Sequence, residues 1–123
     1  MKSLEDLIVW QEARILMRLV YKLTAKFPGE EKFNLVKHMR ACSRNIPANI
    51  AEGFGRFHYQ ESMQFNRIAR GSLMELKSDI YSSYDCNYIN RDELDKLLEQ
   101  ITLVHKLLNA FIKSTYKIKN TNS

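Results

Sequence analysis

Apolar side chains recur every three or four residues along four stretches of the chain, and each stretch reads as an amphipathic helix. In the first, roughly Leu7 to Lys26, the stripe is Trp10, Ala13, Met17, Val20 and Thr24. FPGEE at 27–31 interrupts it. Pro28 and Gly29 favour a turn, and Glu30 and Glu31 suit the electropositive first turn of the next helix. That second helix starts near Glu31, with a stripe of Val36, Met39, Ser43, Ile46 and Ile50. Gly53 and Gly55 stand where it should end. The third, about His58 to Asp85, carries Phe65, Ile68, Ser72, Leu76, Ile80 and Ser83. CNYINRDE is the next turn, where Asn90 and Glu93 have the spacing of a capping box. The fourth, Arg91 to about Lys117, holds Leu94, Leu97, Ile101, Val104, Leu108, Phe111 and Thr115.

Four such helices joined by short turns predict an all-α fold, an antiparallel up-down-up-down four-helix bundle. It forms one domain over residues 1–123, with a polar tail expected to fray from about 118 to 123. No segment reads as a strand, a repeat or a linker. Two helices hold apolar residues beyond one stripe: Ile8, Ile15 and Leu19 on the first, and Met63, Leu73 and Met74 on the third. A second apolar stripe implies burial against another subunit, so a homo-oligomer is expected.

Composition narrows the class. Apolar residues make up 45% of 123, enough for one core. No apolar run is long enough to span a membrane, and the acid-bearing N-terminus MKSLEDLIVW does not resemble a signal peptide, so a cytoplasmic location is expected. Cys42 and Cys86 are far apart, form no CxxC and have no His partner at ligand spacing, so buried free thiols are expected rather than a disulfide. The net charge of +5 is unevenly spread: Lys26 to Arg70 carries eight basic and four acidic residues, whereas Gly71 to the end carries seven of each. A basic middle suits an acidic partner such as RNA or DNA, and equally a solvated basic surface.

The segment NIPANIAEGFGR, 45–56, has the composition of a loop but the spacing of a helix. At 100° per residue Asn45, Asn49, Glu52 and Arg56 line up on one face, while Lys37, Arg40 and Arg44 form another. Pro47 then lies inside helix two and should kink it, with Ser43 available to the backbone groups it frees. GFG lacks the third glycine, the Lys-Ser/Thr pair and the preceding strand of a phosphate loop. Glu52 has no His, Ser or carboxylate at catalytic spacing and pairs naturally with Arg56.

MRACSRNIPANIAEGFGR, followed by FNRIARGSLMELKSDI, resembles the four-helix-bundle proteins of the 23S rRNA intervening-sequence family. The matching positions are Ile46, Pro47, Asn49, Ile50, Ala51, Glu52, Gly53 and Arg56, then Phe65, Ile68, Ala69, Gly71, Ser72, Glu75 and Leu76. LIVWQEA and FPGEEKFNL also match; Asn45 and Cys42-Ser43 depart from the pattern. The resemblance implies a bundle assembling into a ring, a homopentamer. It also implies kinship with the accessory protein of diversity-generating retroelements, a basic ring that associates with reverse transcriptase and nucleic acid. Free-standing members generally have no assigned activity.

Two functional classes follow. In the first, the protein is a nucleic-acid-associated scaffold: Lys37, Arg40 and Arg44 meet phosphates, and Arg67, Arg70 and Lys77 extend the patch from helix three. In the second, it is an interaction module for a partner protein and the basic face is incidental. An enzyme is not expected. His38, His58 and His105 lie on separate segments with no carboxylate pattern of a di-metal bundle, so no metal or cofactor is expected. Asn49, Glu52, Arg56, Ser72 and Glu75 read as structural polar contacts. Glu75 and Asp79, four apart, are expected to meet an Arg or backbone groups of a neighbouring helix near Asn49 or Arg56.

Overall fold

The structure, a computed structural model, describes the backbone of residues 3–122 and the side chains of residues 3–116. Four helices account for most of it: α1 (Ile8–Thr24), α2 (Leu35–Gly55), α3 (Tyr59–Asp85) and α4 (Arg91–Asn122). No strand occurs among the described residues. Each helix packs on two others, in the cyclic order α1, α2, α3, α4 and back to α1, and the α2–α3 contact is the most extensive. Contacts between neighbours run in opposite sequence order. Thr24 and Tyr21 of α1 meet Arg40 and Arg44 of α2. His38 and Gly53 of α2 meet Asp79 and Ser62 of α3. Tyr59 and Arg70 of α3 meet Tyr116 and Asn109 of α4. Glu12 of α1, and Lys26 just past its end, meet Gln100 and Glu93 of α4.

Local chemistry sets the helix ends. α1 stops at Thr24, just before Phe27 turns inward against Tyr88, with ring centroids 5.3 Å apart. α2 begins at Leu35, not Glu31, because residues 29–31 form a 3-10 turn. Glu31 serves that turn instead: its carboxylate accepts from Tyr88 Oη at 2.7 Å and Asn34 Nδ2 at 2.9 Å. α3 ends in a Schellman turn, with Tyr88 N–H donating to Ser83 O at 2.9 Å and Asn87 N–H to Tyr84 O at 3.0 Å. Asn87 takes the left-handed conformation this needs, at φ 64°. The capping box of α4 forms: Glu93 N–H donates to Asn90 Oδ1 at 2.8 Å and Asn90 N–H to Glu93 Oε1 at 2.9 Å. α4 extends past Lys117 to Asn122; Ser123, the end of the tail expected to fray, lies outside the described residues.

The core joins all four helices, but its faces are rotated from those read in the sequence. On α1, Val9, Leu16 and Leu23 are buried with Ala13, Val20 and Thr24, while Trp10 and Met17 are only half-buried. α3 buries Met63, Ala69 and Leu73, so two of its supposed outer residues belong to the core. Ile68 and Met74 are exposed and Phe65 is half-buried. The reason is that α3 packs on two neighbours at once, and small or polar residues (Ser62, Asn66, Ala69, Ser72, Ser83) fill the inner arc. Buried hydroxyls bond within their own helices: Thr24 Oγ1 donates to Val20 O at 2.8 Å and Ser83 Oγ to Asp79 O at 2.8 Å.

α2 runs through Pro47 as one helix from Leu35 to Gly55, and Pro47 is buried. Ser43 does not turn to the carbonyl freed by the proline; its Oγ donates to Arg40 O at 2.9 Å. The helix ends at Gly55 as expected, whereas Gly53 is still within it. Gly53 lies where α2 meets α3 closely, and a Cβ there would stand 3.0 Å from the Ser62 carbonyl oxygen.

Candidate functional site

The basic residues of α2 are built into its seam with α1. Arg40 stacks on the Tyr21 ring, with Cζ 4.6 Å from the centroid. Its Nε donates to Thr24 Oγ1 at 2.9 Å and its Nη2 to Tyr21 O at 3.2 Å. The guanidinium thus caps the electronegative C-terminus of α1, a favourable place for a cation. Arg44 Nη1 donates to Tyr21 Oη at 2.6 Å, so one tyrosine organises both arginines. Lys37, one turn before Arg40, is exposed. The α3 residues do not extend this patch. Arg70 Nη1 donates to Asn109 Oδ1 at 3.1 Å, which places it at the α4 seam, on the other side of α3 from α2. Arg67 is exposed and lines a surface recess with Asn109 and Lys113 of α4, and Lys77 is half-buried.

What the α2 stripe joins is a set of α1 residues that the sequence reading left out. Arg14 and Arg18, four apart, are exposed on α1, whereas Lys22, one turn further, is exposed but lines a recess between α1 and α4 with Glu93 and Lys96. No acidic residue occurs from 13 to 29 or from 32 to 51, and these segments lie side by side. The acidic residues from Gly71 onward all lie on α3 and α4.

The polar signature divides. Glu52 and Arg56 pair at 2.9 Å, with both side chains exposed, and Arg56 also stacks on Phe65 with Cζ 4.9 Å from the centroid. Asn49 Nδ2 donates to Asn45 O at 2.7 Å, and Ser72 is buried. Glu75 and Asp79 do not reach Asn49 or Arg56. They face His38 and Cys42 nearer the start of α2, and this cluster is the site that sequence reasoning missed. His38 and Cys42 are four apart on α2, Glu75 and Asp79 four apart on α3, and the α2–α3 seam closes them together.

Within that cluster His38 Nδ1 is hydrogen-bonded to Asp79 Oδ2. His38 Nε2 is 3.3 Å from Glu75 Oε2 and 3.7 Å from Cys42 Sγ. Cys42 Sγ is 3.8 Å from Glu75 Oε2. The hydrogen bond to Asp79 lifts the His38 pKa above its ordinary value, and the charges of Asp79 and Glu75 add to it against a lowering by burial. Burial first, then the two carboxylates, push the Cys42 thiol up to about 11. Cys42 is buried and unbridged as expected; Cys86 is unbridged but exposed, because it sits in the cap that ends α3.

The raised His38 pKa has a signed consequence. Its stabilising effect is fully present below the unfolded value of about 6.5 and is lost as pH rises through the higher folded value. In an NMR titration the His38 ring proton should have its midpoint above about 6.5, and Asp79→Asn should bring it down. A midpoint at or below the ordinary value, or one that Asp79→Asn leaves unmoved, contradicts the assignment.

The sequence model of the 23S rRNA-intervening sequence proteins matches residues 5–110. The chain belongs to this family. A solved structure of a protein of unknown function from the S23 ribosomal protein family, from Bacteroides thetaiotaomicron, has the same fold. It superposes with a TM-score of 0.78 at 20% identity, over 86% of this chain and 96% of its own. No curated protein matches the chain. The 23S rRNA-intervening sequence signature is thus carried here by a four-helix bundle, and among the described residues no helix is long and apolar enough to cross a membrane.

Proposed function

We propose that this protein is a non-enzymatic scaffold that holds the phosphate backbone of a nucleic acid against the α1–α2 face. One observation carries the reading: two adjacent helices carry the exposed or seam-lining Arg14, Arg18, Lys37, Arg40 and Arg44 with no acidic residue in 13–29 or 32–51. Clustered cations of this kind bind phosphates by charge and release counterions, and they confer no base sequence preference. A homo-oligomeric ring, as the family resemblance implies, repeats the face and multiplies a weak site. The exposed Ile68, Met74 and Tyr81 of α3 offer apolar surface for such subunit contacts.

The test measures binding to single-stranded RNA and to duplex DNA across a salt series. Wild-type protein should bind at low ionic strength and weaken linearly in log–log coordinates. Arg14→Glu, Arg18→Glu and Lys37→Glu combined should cut affinity at least about tenfold and flatten the slope by about two to three, since each phosphate contact contributes about 0.7–0.9. These three are chosen because Arg40 and Arg44 also hold Tyr21, and their loss would disturb the fold. Salt-insensitive binding, or none at low ionic strength, refutes the reading.

A further inference from the structure

We infer that the α2–α3 seam holds a site for a zinc-class divalent cation, with His38 Nε2, Cys42 Sγ and Glu75 Oε2 as ligands and Asp79 as the carboxylate that orients His38. The geometry is specific. Three ligands bound tetrahedrally at ordinary zinc bond lengths stand about 3.3–3.6 Å from one another. The three atoms here are separated by 3.3, 3.7 and 3.8 Å. They span a triangle with nearly the edges of one face of that tetrahedron. Donor atoms of His38, Cys42 and Asp79 also lie within 4.8 Å of one another.

The chemistry of the set agrees with its shape. One imidazole nitrogen, one thiolate and one carboxylate suit zinc and its borderline neighbours, whereas magnesium and calcium take oxygen ligands. Asp79 hydrogen-bonds the far ring nitrogen of His38. That is the carboxylate–histidine arrangement that fixes the ring and leaves the other nitrogen for the metal. The i, i+4 spacing on each helix puts both members of each pair on one face. Cys42 is buried while His38 and Glu75 are exposed, so the thiol forms the floor and solvent has an open route for entry. Binding forms the metal–sulfur and metal–nitrogen bonds and releases to buffer the Cys42 thiol proton and, where His38 is imidazolium, its Nε2 proton. Water completes the fourth position.

The site lies on the α3 side of α2, whereas Arg40 and Arg44 contact α1, so it stands or falls apart from the proposed nucleic-acid face. Its effect would be to cross-link α2 to α3.

The full-length protein, stripped with chelator, is titrated with Zn2+ and separately with Co2+. One metal per chain is expected, with a thiolate-to-cobalt charge-transfer band and the strong visible absorption of tetrahedral Co2+. The thermal midpoint should rise with Zn2+. Cys42→Ser and His38→Ala should each lose at least about 100-fold in affinity, and Cys42→Ser should abolish the charge-transfer band. Asp79→Asn, which removes only the outer carboxylate, should weaken binding by about 10–100-fold and keep the band. Melting of each variant in chelator confirms that it is folded. Absence of saturable binding at micromolar Zn2+ overturns the site, as does binding that Cys42→Ser leaves unchanged. A Glu75→Gln variant that binds as tightly as wild type overturns the ligand assignment.

Discussion

Replacing Asn66 by aspartate is expected to unfold most molecules at neutral pH. Asn66 is fully buried on α3, and neither its Nδ2 nor its Oδ1 has a hydrogen-bond partner among the described residues. A carboxylate there would meet no donor. An unpaired buried charge costs several kcal/mol even after relaxation, against a total stability of about 5–15 kcal/mol for a domain. The penalty falls on the ionised form, so the folded pKa would lie above the unfolded value of about 3.9. Below that value the carboxyl is protonated in both states and the ionisation cost vanishes; above it the cost grows with pH until the folded group also ionises. Leucine has nearly the same branched outline and removes the unpaired amide, so Asn66→Leu should raise stability by about 1–3 kcal/mol. Urea denaturation of wild type and both variants at neutral and mildly acidic pH measures this. A leucine variant less stable than wild type would mean that the amide has a partner and that its burial carries no penalty.

The next largest effect is expected at Gly53. On helix propensity alone, alanine in place of glycine gains about 1 kcal/mol. Here the added Cβ would stand 3.0 Å from the Ser62 carbonyl oxygen and 3.3 Å from Phe65 Cβ. A backbone carbonyl cannot rotate away as a flexible side chain can, so the packing loss decides the sign. Valine would add two more methyls to that contact. Gly53→Val should therefore cost about 2–3 kcal/mol or more as α2 and α3 are forced apart. Gly71 is the internal control. It lies mid-helix on α3, and a Cβ there would have nothing within 4 Å, so Gly71→Ala should gain about 1 kcal/mol. Thermal melts of the two variants beside wild type should shift in opposite directions. A stabilised Gly53→Val would show that α2 and α3 do not approach this closely.

Much of the fold was legible because the information is local. Apolar spacing located four helices, and the Asn90–Glu93 pair marked the start of α4 to the residue, since a capping box is closed by atoms three residues apart. Glu52 and Arg56 pair as their i, i+4 spacing implies. The inner arc of each helix was less legible. Ile68 carries strong hydrophobicity and faces out, while Asn66 carries little and is fully buried. A helix with two packing neighbours buries a wide arc, and periodicity alone gives only its approximate centre. Gly53 and Gly55 read as helix terminators because glycine commonly ends helices; only the approach of α3 shows that Gly53 is needed for room.

The candidate sites divide in the same way. Lys37, Arg40 and Arg44 were legible as a stripe on one helix. That Tyr21 gathers Arg40 and Arg44, and that Arg14 and Arg18 lie on the adjoining helix, depended on which helix packs beside α2. Arg70 was assigned to the same patch and instead faces Asn109 of α4. The His38 cluster offered two signals, His38 with Cys42 and Glu75 with Asp79, each four apart. Neither pair alone is unusual on a helix.

The sequence by itself determined that this protein is a four-helix bundle of the 23S rRNA-intervening sequence family, because helix spacing, caps and the family signature are properties of neighbouring residues. Only the tertiary structure decided which charges share a face, that Asn66 is fully buried, and that His38 and Cys42 meet Glu75 and Asp79. Cys42 and Glu75 are 33 positions apart in the chain and meet because α2 packs on α3. Side-chain chemistry across that seam depends on how each helix is rotated about its axis, which the hydrophobic pattern specifies only coarsely.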